Sequence, residues 1–380
     1  MIASVALRSN EGGAWKRQPE GSSLKYLTLH EIVKDARQKL DKKYWDYLLG
    51  GADTEASVRR NRYGLDSWVF RPRILNDVSE LDIASDFLGT RLRIPVLLPP
   101  IGSVQVFETG GGQSVAQAAA EFGVLQILSS VCTPDFEAVA AAVPGPRIYQ
   151  LYLMGDQAWM DDLIARAVAA GYTGFCLTAD TQTYSRRERD IIKRFTPPSG
   201  SQAGSREFNY QSRMTWDTVD HIKNNFDIPL IIKGVNVGED AARCVEAGVD
   251  VVYVSNHGGR QLDHTRACID ALPEVVDAVD GRVPVVVDGG FMRGADVVKG
   301  LCLGADVVGM GRLQGLAMAA GGAQALVRAL EIVERELQTT LALLGIDKLA
   351  DLKPALLERA TPVAAGDLLS AFPLLGEEGY

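Results

Sequence analysis

Eight short apolar runs, at residues 94–98, 125–129, 147–152, 174–179, 229–233, 251–255, 284–288 and 306–310, recur with helical patterning between them, as at 159–170 and 239–247. Runs this short that are apolar throughout, rather than at alternate positions, mark strands covered on both faces. Strands alternating with helices predict a parallel sheet. The helix-to-strand corners repeat a small pattern: Ala169-Ala170-Gly171, Glu246-Ala247-Gly248, Leu303-Gly304-Ala305. Glycine there ends a helix in the left-handed conformation. Eight such units predict an α/β fold of the closed (β/α)8, TIM-barrel kind, which takes about 250 residues. An open doubly wound sheet is the alternative, but no G-x-G-x-x-G turn follows the first run.

The chain has 380 residues, so a barrel leaves a surplus. Residues 1–27 are expected to form a flexible N-terminal arm. Residues 28–380 are expected to form one barrel domain with N-terminal helices, since 28–65 carries helical patterning and no strand, and with a C-terminal tail. Residues 196–213 break the rhythm. Pro197-Pro198-Ser199-Gly200-Ser201 has loop chemistry and follows the fourth strand. Long loops at that face often serve as lids; an unstructured insertion fits the composition equally.

A net charge of -9 argues against a nucleic-acid partner, because phosphate backbones bind basic surfaces. The longest apolar runs are of strand length, which predicts no membrane-spanning helix. No apolar run follows basic residues at the N-terminus, so no secretory signal is read and a cytoplasmic location is expected. Cys132, Cys176, Cys244, Cys268 and Cys302 are odd in number and lack metal-ligand spacing. They predict buried free thiols in a reducing compartment and no metal site.

Barrel chemistry sits at the C-terminal ends of the strands. Those ends carry Ser129 and Ser130, Gln150 and Tyr152, Thr178 and Asp180, Lys233, Ser255 and His257, Asp288, then Gly311 and Arg312. The densest stretch is Ser255-Asn256-His257-Gly258-Gly259-Arg260-Gln261-Leu262-Asp263. A base and a fixed cation three residues apart in a Gly-rich loop suit proton abstraction from an anionic substrate; a helix-capping histidine is the plainer reading. Asp288-Gly289-Gly290-Phe291-Met292-Arg293-Gly294 and Gly309-Met310-Gly311-Arg312 read as a phosphate site between the last two loops. Tight turns with a surface arginine are the alternative. Lys233 reads as a Schiff-base lysine, as a cation facing an electron-rich cofactor ring, or as a surface lysine. Arg186-Arg187-Glu188-Arg189-Asp190 is a solvated charge run or an anion site.

Residues 255–263, with Trp45-Asp46-Tyr47, Gly51-Ala52, Phe70-Arg71-Pro72-Arg73, Gln150-Leu151-Tyr152, Thr178-Ala179-Asp180, Arg186-Arg187, Lys233-Gly234-Val235, Asp288-Gly289-Gly290 and Gly311-Arg312, make the chain resemble the FMN-dependent L-2-hydroxy acid oxidases and dehydrogenases. This is the group of glycolate oxidase, lactate oxidase, lactate monooxygenase and mandelate dehydrogenase, and the resemblance spans roughly residues 28–350. It implies FMN as cofactor. Ser129, Gln150, Thr178, Lys233 and Ser255 would surround the flavin, with Lys233 at its N1/O2 edge and the backbone of Pro100, Ile101 and Gly102 against the ring. Asp288 would take the ribityl chain, and Gly290, Gly311 and Arg312 the phosphate. Arg293 is counted with these, although its side chain is expected to point elsewhere. His257 would be the base, Asp180 its partner, Arg260 and Arg187 the carboxylate clamp, and Tyr47 and Tyr152 donors to carboxylate and hydroxyl.

Three departures stand out. Met292 occupies a position that is usually arginine, which shifts the phosphate grip to Arg312 and backbone amides. Val131 stands where several relatives carry a large aromatic residue, leaving room for a bulkier C2 substituent. The loop at 196–213 is shorter than the lid of plant glycolate oxidases, so a larger substrate or a quinone acceptor is admissible. The implied reaction oxidises an L-2-hydroxy acid to the 2-oxo acid, with oxygen, a quinone or another carrier as acceptor, in a homotetramer or homo-octamer. An FMN barrel acting on an amine or modified peptide is the alternative, opposed by the two carboxylate-binding arginines. A non-redox barrel is the other.

Overall fold

The computed structural model describes residues 25–199 and 210–376, together with a short antiparallel ribbon of Leu7–Arg8 and Lys16–Arg17. Apart from that ribbon's backbone, residues 1–24 of the expected arm lie outside the described residues, as do 200–209 of the expected lid.

Three helices come first: α1 (Leu29–Lys39), α2 (Lys42–Leu49) and α3 (Ala56–Asp66). Thr28 starts α1 through a capping box in which its amide donates to Glu31 at 2.8 Å. The folded body begins earlier than expected. Tyr26, assigned to the arm, is buried, and its hydroxyl donates to the Ala320 carbonyl at 3.0 Å.

Eight parallel strands then close a barrel: β1 (Val96–Leu98), β2 (Leu125–Ser129), β3 (Ile148–Leu151), β4 (Gly174–Thr178), β5 (Leu230–Val235), β6 (Val251–Val254), β7 (Val285–Val287) and β8 (Val307–Gly309). Each falls within or beside one of the eight apolar runs. The intervening helices are α4 (Gly111–Phe122), α5 (Phe136–Ala142), α6 (Gln157–Ala169), α7 (Glu188–Ile192), α8 (Trp216–Asn225), α9 (Gly238–Glu246), α10 (Cys268–Val279) and α11 (Gly294–Cys302), and α12 (Gly311–Leu344) follows β8. Gly171, Gly248 and Gly304 take the left-handed corners, with φ of 84°, 73° and 97°.

α12 is long and apolar enough to cross a membrane by length and composition, contrary to the reading that apolar stretches here are only of strand length. Its most apolar window is 67% buried inside the protein, and the helix breaks at Gly321 and Gly322. It is a core helix, packed on α1, α4 and α11. The tail returns to the body through Leu357–Arg359, which pairs with Trp68–Phe70.

Inside the barrel, side chains alternate along each strand. Leu97, Leu125, Ile127, Ile148, Cys176, Ile231, Val251, Tyr253, Val286 and Val307 form the interior cluster. Phe87 and Leu92, from the hairpin of Ser85–Phe87 and Thr90–Leu92, join it.

Candidate active site

Two residues beyond the last interior side chain, six of the eight strands present a polar one to the same axis. Ile127 is followed by Ser129, Ile148 by Gln150, Cys176 by Thr178, Ile231 by Lys233, Tyr253 by Ser255, and Val286 by Asp288. The period of a strand therefore turns the top layer of an apolar core into a polar floor. All six are buried. Above them opens a cavity enclosing about 1130 Å³, open solvent at its mouth included, and of the six Lys233 and Asp288 line it.

The Gly-rich loop after β6 is clamped by α3. Asn61 and Asn256 exchange amide hydrogen bonds at 2.8 and 2.9 Å. Asp263 accepts from the amides of Thr54 and Ser57 at 3.0 and 2.8 Å. A Cβ at Gly259 would lie 2.6 Å from the Val58 amide nitrogen, so only glycine lets the loop approach α3 this closely. His257 itself adopts φ 57°.

His257 Nδ1 lies 2.9 Å from Asp180 Oδ1, and Nε2 lies 3.4 Å from the Tyr152 hydroxyl. Asp180 reaches the imidazole past Gly234, whose φ is 112° and whose Cβ would stand 2.7 Å from that of Asp180. Burial lowers the His257 imidazole below its usual value, and Lys233 and Arg187 add to this, outweighing Asp180. Burial would raise the Asp180 carboxyl, but His257 and Lys233 hold it below the usual carboxylate value. At neutral pH the pair is thus an unprotonated imidazole beside a carboxylate, which is the resting state of a general base.

Three arginines border the cavity without a hydrogen-bonded acid among the described residues. Arg260 donates to the carbonyls of Tyr47 and Gly50 at 2.6 and 2.8 Å and lies over the Tyr47 ring. Arg312 donates to the carbonyls of Gly258 and Gly50 at 2.8 and 3.0 Å. Arg187 donates to the Tyr184 hydroxyl at 2.9 Å and stacks on that ring at 4.5 Å. Burial and then Arg187 lower the Arg260 guanidinium; burial and then Arg260 lower that of Arg312. Buried guanidiniums beside a neighbouring cation are poised for anions.

Pro100, Ile101, Gly102, Val131, Lys233, Asp288, Gly290, Gly311 and Arg312 line the cavity with Tyr47, Tyr152, Arg187, His257 and Arg260. The floor has unused polar capacity: both amide atoms of Gln150 and the Thr178 hydroxyl are buried without a partner among the described residues. A flavin ring edged with donors and acceptors fits that set, and the arginines fit its phosphate and an acidic substrate. Burial would lower the Lys233 ammonium, but Asp288 and Asp180 hold it above the usual lysine value, so it stays charged.

Arg293, expected with the cofactor residues, does not line the cavity. It precedes the first turn of α11, and its guanidinium pairs with Glu336 of α12 and the Ala371 carbonyl. Met292 is fully buried, and its amide donates to Asp296 at 3.0 Å. Tyr184 and Ser199 were not foreseen. Ser199 ends the first described stretch of the 196–213 loop and lines the cavity, accepting from Ser103 Oγ at 2.8 Å and lying 3.4 Å from the Tyr47 hydroxyl. Tyr47 itself donates to the Gly102 carbonyl at 3.0 Å. No local sequence signal marks Ser199; the placement of Tyr184 between Asp180 and Arg187 was the one available hint.

A family model described as FMN-dependent dehydrogenase matches residues 36–359. An L-lactate oxidase of Nostoc sp. is 35% identical, over 87% of this chain and 98% of its own. Glycolate oxidase 1 of Oryza sativa subsp. indica is 36% identical, over 84% and 92%. Among solved structures, a mandelate oxidase with benzoyl-formic acid superposes with TM-score 0.83 at 34% identity, covering 90% of this chain and 100% of that one. A soluble mutant of the membrane-associated (S)-mandelate dehydrogenase from Pseudomonas putida gives 0.82 at 31%, covering 87% and 99%.

Proposed function

This chain belongs to the FMN-dependent dehydrogenase family, and from that membership we propose that it oxidises an L-2-hydroxy acid with a bulky C2 substituent to the 2-oxo acid. When bound, FMN supplies the two-electron acceptor. Arg260 and Arg187 hold the substrate carboxylate, and Tyr47 and Tyr152 orient carboxylate and hydroxyl. His257 takes a proton from the C2 hydroxyl or from C2 itself through Nε2. Asp180 stabilises the imidazolium that results. Lys233 offsets the negative charge that develops beside it.

The observation that carries this reading is the His257–Asp180 pair opening onto arginines that have no hydrogen-bonded acid among the described residues. Val131, with Ile101, Phe107 and Met154 as apolar neighbours around the cavity, supports the bulky substituent. Oxygen or a quinone-like carrier takes the electrons afterwards.

The test is product formation by FMN-loaded protein given L- or D-mandelate. Benzoylformate should form from the L acid alone. Absence of a 2-oxo acid product from L-mandelate, L-lactate and glycolate alike would overturn the reading.

A further inference from the structure

Tyr253 is a buried phenol that the chemistry above leaves without a role. It sits on β6 among the aliphatic side chains of the barrel interior and is fully enclosed. A hydroxyl there costs desolvation unless it finds a partner. Its partner is Asp288: Tyr253 Oη donates to Oδ2 at 3.1 Å, while Ser255 Oγ donates to Oδ1 at 2.6 Å. The Lys233 ammonium donates to Ser255 Oγ at 2.9 Å, stands 3.8 Å from Asp288 Oδ2, and lies 5.3 Å over the Tyr253 ring. Room for the hydroxyl is made on β8, where a Cβ at Gly309 would come within 2.5 Å of it. Gly309 is not in the left-handed region, so close approach rather than φ accounts for the glycine.

We propose that Tyr253 is a positioning residue that keeps Asp288 from capturing Lys233. The inference rests on the FMN reading, in which Lys233 is the cation beside the flavin. Tyr253 and Ser255 each satisfy one carboxylate oxygen with a neutral donor, so the ammonium stays on Ser255 below the cavity. Burial and then Asp288 push the phenol's pKa well up, so it remains an O–H donor across the working range. Without it, Oδ2 is a buried anionic oxygen whose nearest cation is Lys233. Closing by about 1 Å would bring the two to charge-assisted contact. The positive charge would then be spent on Asp288 rather than on the reduced flavin.

Two variants test this. Tyr253→Phe removes only the hydroxyl; Gly309→Ala displaces it while leaving the tyrosine. The readouts are the flavin midpoint potential, the anaerobic rate of flavin reduction by L-mandelate, and the Lys233–Asp288 distance in a crystal structure. Both variants should lower the potential, slow reduction by about tenfold or more, and bring Lys233 into contact with Asp288. The double variant should be no worse than Tyr253→Phe, since both changes act through one hydroxyl. A folded Tyr253→Phe protein with unchanged potential, or with Lys233 still 3.8 Å from Asp288, overturns the proposal even if its melting temperature falls. A wild-type protein that binds no FMN ends the FMN reading and this inference together; a wild type that binds FMN beside an unaltered variant ends only the inference.

Discussion

His257 and Asp180 share one hydrogen bond, Nδ1 to Oδ1 at 2.9 Å, and that bond decides which imidazole nitrogen can do chemistry. A carboxylate on Nδ1 requires the proton there, which leaves the Nε2 lone pair facing Tyr152 and the cavity. The bond depends on the backbone of β5: Gly234 interrupts the strand register and clears the space Asp180 fills. The proposed base is therefore set by three separate strand ends.

The pH dependence follows from the sign of the shift. His257 must be neutral to act, and burial lowers its folded-state pKa below the ordinary value of about 6.5. kcat/KM should therefore rise through a limb below about pH 6.5 and be flat above it. Asp180→Asn removes the neighbour seen to raise this value, so the limb should move to lower pH while the plateau falls about a hundredfold or more. A wild-type limb above pH 7 would contradict the assignment.

Arg260→Lys keeps a charge but loses the planar guanidinium, which holds the Tyr47 and Gly50 carbonyls through Nη1 alone while bordering the cavity. KM should rise and kcat fall together, lowering kcat/KM by about ten- to a hundredfold. Steady-state kinetics that leave both parameters intact would remove Arg260 from the carboxylate clamp.

Val131 stands beside Gly102, where a Cβ would already lie 2.9 Å from the valine methyl. Val131→Trp should fill the adjoining space and shift the kcat/KM ratio from L-mandelate toward glycolate by at least about tenfold. An unchanged ratio would refute the substrate-size argument.

Beneath the Gly289–Gly290 turn, Arg62 and Asp296 form a buried ion pair at 2.7 Å, each side chain 3% exposed. Arg62 also donates to the Gly290 carbonyl at 3.0 Å. Arg62→Ala leaves a buried anion and should cost about 3–5 kcal/mol in a denaturant titration, with weaker FMN retention. Loss of less than about 1 kcal/mol would mean that water reaches Asp296.

The barrel was legible because its strands are apolar on both faces and short, a pattern with few other uses, and because glycines mark the corners. The polar floor was legible for the same geometric reason: residues such as Gln150 and Asp288 end apolar runs. What escaped depends on which groups meet across the fold. Arg293 and Arg312 both border Gly-rich turns, yet one start of a helix sends its side chain to Glu336 and the other to Gly258 and Gly50. Tyr253 reads in sequence as one more core residue; only its distance to Asp288 gives the hydroxyl a meaning. Tyr26 looked like part of an arm until the break in α12 supplied a carbonyl for it to cap.

The most direct measurement is the anaerobic absorbance spectrum of FMN-loaded protein before and after L-mandelate, with His257→Ala alongside. The wild type should bleach, and His257→Ala should stay yellow, reducing at least about a hundredfold more slowly. A wild type bleached by none of L-mandelate, L-lactate and glycolate, or a His257→Ala protein reduced at the wild-type rate, would contradict the account.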